Sequence, residues 1–412
     1  MNRTAMLAAV CAVAVAGIYA AQPVLAEIGA ELGVPEAQLG WIVAAGQLGY
    51  LAGLALLVPW GDLVDRRRLI AGHLLLTAAG AVLAAAASRT WMLLAGVAVA
   101  GLFAVVVQTT VAYAAALAAP GDRGRTLGVV TSGVVAGILG ARVAAGALAT
   151  VWGWRSVYVV LAGLLVTLAA LVLRTLPPDP RPGGSSYRDV LTSLGGLFRE
   201  RLFVSRGVIA FFLFASFGTL WSGLALPLSA APWRLSPAQT GLFGLAGLVG
   251  ALGATRAGRW ADAGFARAVT GGGLALLTVS WLATAQAPWS LWLAAAGVVV
   301  LDFAVQAVHV SNQHLLATAY PDRTSSAIGG YMIFYALGSA FGATTTTAVF
   351  AVAGWAGSSV LGAAFAVVAF AVWAAGFRGR GRPAGRCRCA PGRPGRSPRS
   401  ARRTTGGTGG SG

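Results

Sequence analysis

Apolar residues along this chain neither alternate nor mark one face of a helix. They run together for about 20 residues at a time, stop at short polar loops, and begin again. Twelve such runs fall near residues 4–26, 39–60, 69–88, 91–119, 127–150, 154–176, 204–230, 238–257, 268–287, 290–317, 325–350 and 355–377. Each is long enough to cross the ~30 Å hydrocarbon core of a bilayer as a helix. Barrel strands do not fit, because they are about ten residues long and alternate. The pattern predicts an all-α polytopic membrane protein with twelve transmembrane helices. The first run, after Met1-Asn2-Arg3, has the outline of a cleaved leader. Its length, its Tyr19 and Gln22-Pro23, and the even count it completes make it helix 1 instead.

The polar stretches between the runs repeat. Gly61-Asp62-Leu63-Val64-Asp65-Arg66, between helices 2 and 3, returns in shortened form as Gly258-Arg259-Trp260-Ala261-Asp262. Pro120 with Asp122-Arg123 is answered by Pro321-Asp322-Arg323, and Gly153-Trp154 by Gly354-Trp355. Echoes in the same order, 197 to 201 residues apart, mark an internal duplication. Six helices therefore answer six, as two halves related by pseudo-two-fold symmetry. Residues 1–176 form the first half and 204–377 the second. The linker 177–203 opens with prolines and glycines and carries one short surface helix at Leu191–Phe198.

Charge fixes the expected orientation. The chain is 57% hydrophobic and 10% charged, with a mean hydropathy of +0.75, where a soluble domain carries about a quarter charged residues. Its net charge is +18, all of the positive charge from arginine. Ten arginines lie in the Gly/Pro/Ser-biased segment 378–412, which reads as a disordered tail, leaving +8 for the body. That distribution is a poor one for nucleic acid. The loops on one side hold Arg66-Arg67-Arg68, Arg123, Arg125, Arg181, Arg188, Arg199, Arg201, Arg256, Arg259, Arg267 and Arg323; the other side holds only Arg89, Arg155 and Arg234. The positive-inside rule places both termini in the cytoplasm. Of three cysteines, Cys11 lies in a span and Cys387 and Cys389 in the tail, which makes no zinc site. No cofactor or metal is expected.

The inter-helix pattern Gly61-x-x-x-Asp65-Arg66, with its weaker copy Gly258-x-x-x-Asp262, resembles that of the major facilitator superfamily. Within it the chain is similar to bacterial twelve-span drug and metabolite efflux permeases, through Tyr19-x-x-Gln22-Pro23-x-Leu25, Gln47-Leu48-Gly49-Tyr50, Arg123-Gly124, Gly153-Trp154-Arg155 and Ser311-Asn312-Gln313. The resemblance covers residues 1–377 and implies the major facilitator fold, with helices 1, 4, 7 and 10 lining a central pathway. It implies alternating access, and a loop at Asp65 that latches the outward-facing state. A monomer is expected. Three positions depart from the pattern: Arg68 stands where a glycine is usual, helix 4 lacks an arginine, and the helix 5 series Gly133, Gly137, Gly140, Gly146 lacks a proline. They leave membership intact and loosen the antiport assignment. Independently, Asp65 at a helix start is placed to cap that helix or pair with a neighbouring arginine, and Gly133-x-x-x-Gly137 is a close-packing pattern.

Charge within the membrane is the sharpest signal. Eleven of twelve acids lie in loops or at helix ends; only Asp302 is mid-span, in helix 10, and Arg142 is the only mid-span arginine, in helix 5. Burying either costs at least ~2.5 kcal/mol, so such groups usually face a cavity and act there. Gln306, His309 and Gln313 follow Asp302 at i+4, i+7 and i+11, one helical stripe. Tyr19 and Gln22 on helix 1, Gln108 with Tyr113 on helix 4, and Tyr331 and Tyr335 on helix 11 add polar positions. Asp302 is read either as a proton carrier or as a structural partner of Arg142, and His309 as a hydrogen-bonding lining residue. His73 and His314 are expected to reach the interface.

The leading expectation is a secondary active transporter in the lipid bilayer that exports a small drug or metabolite in exchange for protons. Proton-linked uptake of a sugar, nucleoside or similar nutrient uses the same scaffold. A membrane enzyme would need a second carboxylate or a better ligand set than Asp302 and His309 offer. A non-transporting sensor would not need the intact polar stripe. A nucleotide-driven pump would need a phosphate loop with its lysine, and the chain has no lysine.

Overall fold

A computed structural model of the chain describes residues 3–57, 64–118, 123–179, 195–253, 260–320 and 324–378. Among these it is helical throughout its ordered elements. The helices are α1 (Arg3–Leu32), α2 (Gly40–Leu56), α3 (Arg66–Ala85), α4 (Thr90–Leu117), α5 (Arg123–Trp152), α6 (Trp154–Thr175), α7 (Arg201–Ser229), α8 (237–253), α9 (Ala266–Thr284) and α10 (Leu291–Ala319). The last helical segment, Thr324–Arg378, turns sharply at Gly354 (φ 60°, ψ −161°) into α11 (324–353) and α12 (355–378). Among the described residues, ten segments are long and apolar enough to span a bilayer. The last of them is this pair, and α8 makes twelve.

Local chemistry explains where helices break. Pro23 has no N–H to continue α1, which ends its first part at Tyr19 and passes through a short 3₁₀ turn, Gln22–Val24, before resuming at Leu25. Helix α1 thus runs six residues past its expected end. Ser236 begins α8 with a reciprocal capping box to Gln239. Ser290 caps α10 through Leu293 N–H at 3.3 Å. At Gly153 the backbone takes φ +75°, and at Gly354 +60°. A side chain is strained there, so the two glycines that turn α5 into α6 and α11 into α12 are doing the same job 201 residues apart.

The duplication extends to the packing. A Cβ on Gly49 of α2 would strike the Ala98 carbonyl of α4; a Cβ on Gly250 of α8 would strike the Val299 carbonyl of α10, again 201 residues on. Gly133 and Gly137 of α5 press on Ala8 and Ala12 of α1, and Gly338 and Gly342 of α11 press on Phe211 and Ala215 of α7. Without a hydrophobic force between helices in lipid, such backbone approach is what holds them.

The halves join through two equivalent seams. Gly40 of α2 packs on the Ala343 carbonyl of α11, and Gly241 of α8 on the Arg142 carbonyl of α5. Gly40 N–H donates to Thr347 Oγ1 (3.1 Å), Thr347 Oγ1 to the Ala37 carbonyl (3.2 Å), and Ala238 N–H to Thr150 Oγ1 (3.0 Å). These contacts lie toward the arginine-poor end. Outward-facing Trp41, Trp91, Trp152, Trp289 and Trp292, each more than half exposed, ring that same end, where indoles favour a membrane interface.

Candidate functional site

Four helices bring the mid-span charges together. On α5, Arg142 is 1% exposed and lies at the seam. Its Nε donates to Gln22 Oε1 (2.9 Å), which the break in α1 turns toward it, and its Nη1 donates to the Ile138 carbonyl (2.9 Å). Its guanidinium carbon stands 3.8 Å from the centroid of the Trp221 ring on α7, with Tyr19 at 5.4 Å and Phe217 at 5.7 Å. A cation over an indole face is attracted by the ring quadrupole, by about 2 kcal/mol or more when desolvated. The edge of the same indole then turns to α10: Trp221 Nε1 donates to Asp302 Oδ1 at 3.3 Å.

Asp302 is also 1% exposed, and its Oδ2 lies against Gly247 of α8, where a Cβ would collide with it. The two charges do not form an ion pair within 4.0 Å. The expected choice between proton carrier and partner of Arg142 therefore gains a third element, because one indole faces the cation and donates to the anion. Arg142 and Gln22 belong to the first half, Trp221 and Asp302 to the second. Three buried polar atoms here have no protein partner: Arg142 Nη2, Gln22 Nε2 and Asp302 Oδ2.

A cleft of ≈340 Å³ opens above this cluster toward the arginine-poor end, among the ends of α1, α5, α7 and the start of α8. Pro23, Ala225 and Thr240 border both it and a small hollow of ≈10 Å³ whose floor is Gln22, Arg142 and Trp221. Glu27 stands on the cleft wall with Oε2 unpartnered.

The other expected site residues are spread more widely. Tyr19 meets Tyr335 across the halves, hydroxyl to hydroxyl. His309 does not share the Asp302 junction; its Nδ1 lies 3.1 Å from the Tyr331 hydroxyl, and its ring stands edge-on to Phe214 at 5.2 Å. Gln306 and Gln313 are half-buried on α10. Gln108 stays within the first half, donating to the Tyr50 hydroxyl of α2 at 2.9 Å. His73 is buried, with its ring 5.7 Å from that of Phe103, rather than at the interface. Trp221 carried no signal in the sequence, since an indole within an apolar span looks like any core or lipid-facing aromatic. The second missed group is Arg206 of α7, whose Nη1 donates to Asn312 Oδ1 of α10 at 3.3 Å.

At the arginine-rich end Asp65 caps α3, accepting from Arg67 N–H (2.9 Å) and from Asp179 N–H (3.3 Å). Arg66 reaches the Ala112 carbonyl (3.4 Å) and Asp179 (3.8 Å). This ties the α2–α3 connection to α4 and to the chain leaving α6, all within the first half and the start of the linker. Gly61 and Gly258 lie outside the described residues, as does the side chain of Asp262.

Twelve spans in two equivalent halves, with a charged junction between them, have the build of a membrane carrier. The model of the Major Facilitator Superfamily matches residues 7–231. The uncharacterized transporter YgaY of Escherichia coli O157:H7 is 40% identical over 365 residues, 88% of this chain and 93% of that protein. Probable transporter SCO4007 of Streptomyces coelicolor is 33% identical over 369 residues, 88% and 85% of the two chains. Among solved structures, a bacterial homolog of the human lysosomal transporter Spinster, inward-facing and unoccupied, superposes with a TM-score of 0.77 at 16% identity, covering 92% of this chain and 98% of that one. The human organic anion transporter MFSD10 gives 0.63 at 18% identity, over 90% and 100%. The chain belongs to the Major Facilitator Superfamily and is a multi-pass membrane transporter.

Proposed function

We propose that the protein is a proton-coupled exporter of a small drug or metabolite in a bacterial inner membrane, with Asp302 as the proton-carrying group. The observation that carries the reading is the Arg142–Trp221–Asp302 junction. Its cation belongs to one half and its carboxylate to the other, and a single indole serves both. A change in the charge of Asp302 alters the field at Arg142 in a site without bulk water, where opposite charges interact far more strongly than at a surface. Protonation in this way reaches the seam between the halves, the boundary that must open and close in alternating access. With the arginine-rich end read as cytoplasmic, the seams described above lie at the outer end.

The test is accumulation of a panel of dyes, antibiotics, nucleoside analogues and sugars in an efflux-deficient bacterial host, with wild type compared against Asp302→Asn. Wild type is expected to lower the internal level of one compound class, and the variant to lose at least tenfold of that activity at equal membrane abundance. Full activity in Asp302→Asn would remove the proton role. A raised internal level with wild type would replace export by uptake.

A further inference from the structure

We infer that the cleft above Arg142 receives its solute by a carboxylate group, bound at the floor by the Arg142 guanidinium and the Gln22 amide. The inference rests on the transporter reading and narrows the class of solute. A guanidinium keeps its charge and offers five N–H donors in a fixed fork. In Arg142 the Nε donates to Gln22 Oε1 and the Nη1 to the Ile138 carbonyl. Nη2 is left without a partner, and among the described residues no carboxylate lies within 4.0 Å of the group. Arg142 holds the oxygen of the Gln22 amide, and the Nε2 end of that amide is likewise buried and unpartnered. Arg142 and Gln22, each with one donor left over, both line one small hollow, and the hollow adjoins the cleft.

The donor set selects the ligand. At Arg142 and Gln22 an ammonium would meet N–H donors, whereas a carboxylate accepts several charge-assisted hydrogen bonds at once. Asp302 does not compete, because its free oxygen is turned to Gly247 rather than to the hollow. Apolar walls at Pro23, Ala225 and Leu235 suit an alkyl or aryl body. Glu27 on the cleft wall opposes a second negative charge, so a monocarboxylate fits and a dicarboxylate does not.

Thermal unfolding of the purified full-length chain in detergent tests this with phenylacetate, 4-phenylbutyrate and octanoate, each against its methyl ester, and with succinate. The acids are expected to raise Tm saturably, by about 2 °C or more, while the esters and succinate do not. Arg142→Gln should abolish the rise, Arg142→Lys should weaken it, and Gln22→Leu should raise the apparent Kd about tenfold. Should Arg142→Gln fail to fold, the lysine and Gln22 variants carry the test. Equal shifts from acid and ester, no shift from any acid, or an unchanged response in the Arg142 and Gln22 variants overturns the inference. None of these outcomes touches the accumulation experiment, which tests transport itself, so the two readings fail separately.

Discussion

Trp221 is the residue on which the junction turns. It gives its face to a cation and its N–H to an anion, so two substitutions separate the two contacts. Trp221→Phe keeps an aromatic face but leaves Asp302 Oδ1 without its donor. A lost hydrogen bond to a buried charged group costs about 1.5–3 kcal/mol. Trp221→Leu removes the face as well. Initial transport rates in proteoliposomes of equal protein content should fall about tenfold for the phenylalanine variant and further for leucine. A phenylalanine variant as fast as wild type would show that the indole N–H is dispensable. Asp302 and Arg142 were legible in the sequence because charge is conspicuous inside a 20-residue apolar run. Trp221 was not, for the opposite reason. The stripe Asp302, Gln306, His309, Gln313 was a correct statement about one helix, but α10 meets α7 and α8 near Asp302 and α11 near His309, and periodicity holds no information about neighbours.

At the scale of helices, closure rests on glycines that let backbones touch. The pattern Gly133-x-x-x-Gly137 announced itself, whereas Gly40 and Gly241 are lone glycines whose importance appears only when α11 and α5 are set against them. A side chain at either position has no room, since the obstructing atoms are backbone carbonyls. Overpacking of this kind costs about 1–3 kcal/mol, enough to move a two-state equilibrium by roughly 5- to 150-fold. Gly40→Val should therefore shift the protein away from the closed seam. Spin labels at Trp41 and Val352, both exposed near the arginine-poor end, should show a longer-distance population in the variant. An unchanged distance distribution would mean that the α2–α11 seam does not hold this state. The span boundaries were legible throughout to within a few residues, because apolar run length is set by bilayer thickness and not by tertiary context. The extension of α1 to Leu32 was the exception, since Glu27 and Glu31 ended the apolar run while the helix continued. Glu31 is held there by Arg155 and by Trp154 Nε1.

Across the whole molecule the scaffold is duplicated more faithfully than the sequence suggests at first reading, yet the chemistry is not. Gly49 and Gly250, Gly40 and Gly241, and Gly153 and Gly354 are each 201 residues apart and do equivalent work. The same displacement carries Arg142 to Ala343 and Asp302 back to Gly101. One seam holds a cation and an anion; its counterpart holds a methyl group and a hydrogen. A body with two-fold regularity thus has, among the described residues, one junction where a fully buried cation and anion meet the same indole, and neither charge recurs at the mirrored positions. Uptake of solute by one molecule should then saturate as a simple hyperbola, with no sigmoid onset. Measured over a wide concentration range in proteoliposomes, a sigmoid curve would reveal a second solute in the opposite half. The hyperbola would make this a symmetric machine that counts to one.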